Sequence, residues 1–296
     1  MASKAGSLSE AATFLRQLWA KMESDDVLFM ASGVAFNILL AGVPFFLLLA
    51  SGLGYALGTS PDASNGAVAD FIRYLFPLNS DGAESVLDPV IRDVARTRGA
   101  AGLFGAVTFV WFSTRLFGSL RAVFNTVFGV PRGQGILLGK VFDVWFTIAA
   151  TGLVVVWIAA SASVVVARTR GAELLASVGV EGGSVVHALM YTAGRLVAFA
   201  LLVTVFFALY KALPYRRVRW QQALFGAVTS AVLFEIARWA FTLIVHRLDP
   251  GTIYTGALAA IIIVVFWVYY GALIVIVGGE ASQVHERSRT AKLNSK

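Results

Sequence analysis

Six stretches of the chain, 27–57, 100–128, 138–166, 185–210, 222–245 and 254–277, stay apolar for about 20 residues or longer. That is the length a helix needs to cross a hydrocarbon core of about 30 Å. Several exceed the minimum, which predicts tilt or bending. Pro44 falls inside the first stretch and removes a helical hydrogen bond, so a bend is expected there. Ahead of that stretch the pattern changes. Ala11, Phe14, Leu15, Leu18, Trp19 and Met22 recur at three- and four-residue spacings among charged positions, which predicts an amphipathic helix lying on a membrane surface. The interval between the first two stretches repeats the theme. Val68, Phe71, Ile72 and Leu75 share one helical face, and Leu87, Val90, Ile91 and Val94 share another. Asp88 and Pro89 suit the N-cap and first turn of the second of these helices. Both are expected to rest on the outer surface or to cap the bundle mouth.

The pattern predicts an all-α membrane protein with six transmembrane helices and short amphipathic helices at the N-terminus and in the first outer loop. Its parts are an amphipathic segment at 1–26, a six-helix membrane domain at 27–284 and a basic tail at 285–296. Residues 1–26 lack a continuous apolar core and carry Glu10, Glu23, Asp25 and Asp26, so they are not expected to act as a cleaved leader. The two halves show no internal repeat, so an inverted three-plus-three arrangement finds no support in the sequence.

Composition agrees with the membrane class. Apolar residues make up 58% of the chain and charged residues 14%, where a soluble domain carries about 25%. The mean hydropathy is +0.76. The net charge of +7 does not point to nucleic acid, because Lys and Arg gather in short loops and not in a stripe with exposed aromatics. Lys4, Arg16 and Lys21 precede the first span, and Arg132 and Lys140 flank the second loop. Lys211, Arg216, Arg217 and Arg219 occupy the fourth loop, and Arg287, Arg289, Lys292 and Lys296 the tail. These outnumber Arg73, Arg92, Arg96, Arg98, Arg168, Arg170 and Arg247 on the opposite side, which places both termini in the cytoplasm.

Enzyme chemistry finds little to stand on. There is no Cys, which excludes disulfides, thiolate metal sites and cysteine nucleophiles. His187, His246 and His285 stand apart, the acidic residues are scattered, and no HExxH, phosphate-loop or GxSxG pattern occurs. Neither an enzymatic activity nor a cofactor nor a bound metal is expected.

The candidate chemistry lies in charges set deep inside apolar helices. Arg115, Arg195, Glu235 and Arg238 fall in the middle half of three different spans. A charge at the bilayer centre costs about 2.5–3.5 kcal/mol on insertion scales, so such residues pair inside a bundle or line a polar path. Glu235 and Arg238 are three apart, share a helix face and can pair locally. Arg115 and Arg195 are then left to seek carbonyls, water or an anion. Two readings stand side by side: a cavity that accommodates an anion, or mutually satisfied charges that fix helix packing. Asn37, seven residues before Pro44, needs partners in hydrocarbon and joins the candidate substrate-binding set. Arg121 and Asp143 lie nearer a membrane face, where snorkelling or a surface ion pair accounts for them. Tyr269 and Tyr270 follow Trp267 within the sixth span and read as core packing. Gly226, Gly271, Gly278 and Gly279 would permit close helix approach.

Four segments carry a family resemblance over about 27–284. They are Ala31-Ser-Gly-Val-Ala-Phe-Asn-Ile-Leu-Leu-Ala-Gly-Val-Pro44, Leu120-Arg-Ala-Val-Phe-Asn-Thr-Val-Phe-Gly-Val130, Leu213-Pro-Tyr-Arg-Arg-Val-Arg-Trp220 with Gly226, and Gly256 through Trp267-Val-Tyr to Gly278-Gly-Glu280. In this order they resemble the YihY/virulence factor BrkB family of bacterial inner-membrane proteins. The family usually has Tyr near Asn37 and Ser near Ala41, so both positions depart from it. The resemblance implies a six-helix bundle in the inner membrane and a role in transport. Members have also been labelled ribonuclease BN, for which this chain shows no catalytic constellation. The expectation is an exporter or flippase-like protein that handles an anionic or amphipathic compound in contact with membrane lipids. The alternative is a non-transporting protein of envelope integrity.

Overall fold

The computed structural model describes residues 2–56, 100–130, 184–247 and 257–294, with Ile148 and Gly152 isolated between them. Every regular element among these residues is a helix: α1 (Ala2–Ser24), α2 (Val27–Ala56), α3 (Ala100–Val127), α4 (Ser184–Ala212), α5 (Trp220–Arg247) and α6 (Ala257–Asn294). Helices α2 to α5 begin and end close to four of the apolar stretches. The stretch 138–166 lies outside the described residues except for Ile148 and Gly152, both helical, and so do the two expected outer-loop helices.

By length and apolar composition, two described helices can cross a bilayer, over Trp220–Leu243 and Ile262–Ala291. The bent pair Ala12–Ser24 and Val27–Gly42 is a third candidate. The described residues therefore carry two or three candidate spans, where the hydrophobic pattern of the whole chain predicts six. In α4 the described apolar run, Leu196–Ala212, is short of a full span.

Local sequence sets the helix ends. Between α1 and α2 the chain turns by 65°. Asp26 takes a left-handed φ of +52° there, which aspartate tolerates better than most residues. Its carbonyl then accepts from Met30 N at 3.0 Å to open α2. At the end of α3, Gly129 adopts φ +65°, and Val130 N reaches back to Asn125 O at 2.7 Å. That is the left-handed glycine stop that satisfies the last carbonyls of a helix. Helix α2 runs through Pro44 without ending. Helix α6 continues to Asn294, well past the expected span end at 277, so most of the predicted basic tail is helical. The extension holds helix formers such as Glu280, Gln283, Glu286 and Arg289, which carry it on after apolarity stops.

Helix α6 is the hub and packs against α1, α2, α3 and α5, while α2 pairs with α3 and α4 with α5. The core gathers Val27, Val34, Phe124, Val127, Phe128, Tyr210, Leu213 and Ile276. The outside is apolar as well: Phe29 is 80% exposed, and Trp111, Leu196, Trp239 and Phe266 are exposed too. Apolar surface on this scale marks a face meant for lipid or protein.

Candidate functional site

The sequence-predicted residues lie on four helices. Arg115 is exposed on α3. Asn37 on α2 donates its side-chain amide to Gly33 O, 2.8 Å away and one turn back on its own helix. Glu235 and Arg238 on α5 pair with each other, with Nη2 2.7 Å from Oε2 and both side chains 25% exposed. Arg195 belongs to α4, and its side chain lies outside the described residues. The structure thus joins Glu235 to Arg238 and leaves Arg115 and Asn37 as separate features. Of the two tyrosines read as core, Tyr269 is partly buried against the core and Tyr270 is exposed, while Trp267 is buried against Phe234 and Phe241.

A second polar region lies at the other end of the helices, where α1 meets α6. One face of α1 packs there: Phe14 sits edge-on to Phe225, which stacks on His285 at 4.1 Å, and Gln17 accepts from Ser288. Further along the same face is Lys21, 11% exposed, between two carboxylates. One is Asp25, 18% exposed, which accepts a hydrogen bond from Lys21. The other is Glu280, fully buried, with Oε2 3.0 Å from Lys21 Nζ. That approach is an ion-pair distance without hydrogen-bond alignment, and neither Glu280 oxygen has a hydrogen-bond partner. Burial pushes the Asp25 carboxyl up. Lys21, by hydrogen bond and charge, together with Ser24, outweighs burial and holds Asp25 below the ordinary aspartate value.

Around Glu280 the helices cross closely. A Cβ on Gly278 would lie 1.8 Å from Ser230 Oγ and 3.0 Å from Gly226 O, so the α5–α6 contact depends on glycine there. Tyr210, buried on α4, donates to Val275 O at 2.6 Å and meets Ser230 Oγ at 2.6 Å. Gln222 donates to Gln283 at 2.9 Å, and Ser282 donates to Gln222 O. The loop between α4 and α5 docks on α3: Arg121 lies over the Tyr215 ring at 5.1 Å, and Asn125 accepts from Tyr215 N at 3.2 Å.

Three of the four family-like segments therefore meet at this end. Arg121 and Asn125 from the second segment hold Tyr215 from the third, while Gly278 and Gly279 of the fourth pack beside Tyr210 and Phe124. Sequence reasoning passed over the Lys21–Glu280 pair. The available signal was a glutamate directly after paired glycines on an apolar helix, with a lysine two turns after Phe14 on the packed face of α1. Among the described residues no cluster of three metal-ligating side chains occurs.

Comparison with known proteins places the chain in a family. A family described as "Virulence factor BrkB" matches residues 18–296, and the chain belongs to it. The chain is 30% identical to a UPF0761 membrane protein of Vibrio cholerae over 271 residues, covering 91% of this chain and 85% of that protein. It is 26% identical to a UPF0761 membrane protein of Pelodictyon phaeoclathratiforme and 27% identical to one of Chromohalobacter salexigens, covering 90% and 93% of this chain. Of those two relatives it spans 58% and 64% of their length. No solved structure matches the chain. The chain is accordingly a membrane protein of the BrkB family.

Proposed function

We propose that this membrane protein moves an anionic or amphipathic compound across the bacterial inner membrane, as an exporter or flippase-like carrier with both termini in the cytoplasm. The observation that carries the reading is Arg115. It is exposed mid-way along α3 beside exposed Val107, Val110 and Trp111, so a cation stands on an otherwise apolar surface. A position of that kind costs several kcal/mol in hydrocarbon unless an anionic group or water accompanies it. A lipid headgroup or an amphipathic anion passing along α3 would supply that partner. Arg195, Glu235, Arg238 and Asn37 complete the proposed mid-helix site. The sequence holds no ATP-binding motif, so movement would follow a gradient or depend on a separate ATPase, and we read the protein as a non-enzyme. Exposed Leu15 and Trp19 on α1 suit contact with the membrane surface.

The test is lipid or anion movement in proteoliposomes, with native mass spectrometry of the purified protein. Wild type should carry an anionic lipid or metabolite and move it, and Arg115→Ala and Arg195→Ala should lose both while inserting normally. Unchanged binding and movement in both variants would refute the site. A second reading has its own observation: the Glu235–Arg238 pair satisfies itself, as a packing element of an envelope-integrity protein would. Glu235→Gln separates the two, since it should alter movement in the first case and chiefly thermal stability in the second.

A further inference from the structure

Glu280 is fully buried, its two oxygens lack hydrogen-bond donors, and its nearest charge is one ammonium shared with a second carboxylate. A buried carboxylate left without donors is disfavoured in its charged form, and two carboxylates on one cation repel. Either difficulty is relieved by one proton. Asp25 is held below the ordinary aspartate value by Lys21 and is partly open to water, so of the two carboxylates Glu280 is the one on which a proton would settle.

We propose that Glu280 is a proton-binding site, and that its occupancy controls the docking of α1 on α6. With Glu280 ionised, Lys21 bridges α6 to the α1–α2 corner. When Glu280 takes a proton from solution, no heavy-atom bond changes. The bridge is then lost, and Lys21 remains with Asp25, on its own side of the junction. The corner at Asp25–Asp26 is already a break between helices, so α1 can pivot there without unwinding α2.

The other charged and titratable groups packed at this junction are engaged elsewhere. On α3, Arg121 faces the Tyr215 ring; on α4, Tyr210 is bonded to Val275 O and Ser230. Arg219, at the start of α5, pairs with Glu286 of α6 at 3.1 Å, and His285 is stacked on Phe225. Asp26 is exposed. Neither this site nor its test depends on the transport reading, because no transported substrate is involved.

The experiment is a pH titration of the full chain in lipid nanodiscs, read in two ways. Infrared difference spectra report the carbonyl stretch of a protonated carboxylic acid. Because the chain has no cysteine, spin labels at Ala20→Cys on α1 and Ala291→Cys on α6, both exposed, report their separation. Expected is a carboxylic-acid band that grows as pH falls, with label distances that lengthen at the same midpoint. Glu280→Gln should abolish the band and hold the long distance at every pH. Lys21→Met should move the midpoint of the band to higher pH by about one to three units, since an opposite charge is lost. It should also hold the long distance at every pH, since the bridge is gone. A wild type without a titrating band, or a band that survives Glu280→Gln, overturns the proton site. Distances that ignore pH while the band titrates overturn its control of docking. Should Glu280→Gln fail to fold, an unmoved midpoint in Lys21→Met overturns the proposal on its own.

Discussion

Glu235 and Glu280 are both carboxylates on long apolar helices, and they are held by different means. Glu235 meets Arg238 one turn along its own helix, is a quarter exposed, and could make the same contact in an isolated α5. Glu280 meets Lys21 from the opposite end of the chain, is fully buried, and has that contact only when α1 docks. A local pair on a helix surface stabilises by about 0.2–0.5 kcal/mol and says little about tertiary structure. A buried pair between distant elements is strongly coupled to the fold, because losing one partner strands the other. The glycines of α6 repeat the contrast. Gly278 is pressed against Ser230 and Gly226, whereas a Cβ on Gly271 would meet nothing within 4 Å.

The sharpest way to break this comparison is Lys21→Met. It strands Glu280 and should lower stability by up to about 3–5 kcal/mol at high pH, read as thermal unfolding in detergent. The double variant with Glu280→Gln should recover most of that loss; a loss no larger than in Glu235→Gln would erase the distinction between the two pairs. Next comes Gly278→Ala, expected to cost about 1–3 kcal/mol through overpacking at the crossing, with partial recovery when Ser230→Ala removes the nearest atom. Gly271→Ala should be neutral or stabilise by up to about 1 kcal/mol, from helix propensity alone. Asp25 gives a smaller, pH-dependent effect. Its carboxyl lies below the ordinary value when folded, so its contribution is present above that ordinary value and fades as pH falls through the folded one. Asp25→Asn should flatten this acid-side slope in a stability-against-pH profile. Smallest is Glu235→Gln, about 0.2–0.5 kcal/mol in unfolding measurements.

What was legible in the sequence follows the same line between local and distant. Apolar length located α2 to α5, because hydropathy is a property of each segment. The spacing of Glu235 and Arg238 announced their pairing, because a helix face is fixed by residue count. Helix α6 runs on past 277, where apolarity stops, because helix propensity and packing against α1 do not stop there. Lys21 reads as an orientation charge; its seven-residue spacing from Phe14 puts the two on one face of α1, but spacing alone does not say which helix that face meets. The amphipathic pattern of α1 predicts a helix on the membrane surface. Its Leu15 and Trp19 are exposed, and the packed face is the neighbouring one through Phe14, Gln17 and Lys21.

Helix α6 is one rod of 38 residues, about 57 Å long, pinned near its middle where Gly226 and Gly278 touch. A rod pinned in this way behaves as a lever. Its shorter arm carries α1, and its longer arm reaches about 30 Å to the Ala257 end. A tilt of about 5° about the glycine fulcrum carries that end sideways by about 3 Å, roughly half the rise of one helical turn. A displacement of α1 that tilted α6 about this contact would reach the Ala257 end enlarged.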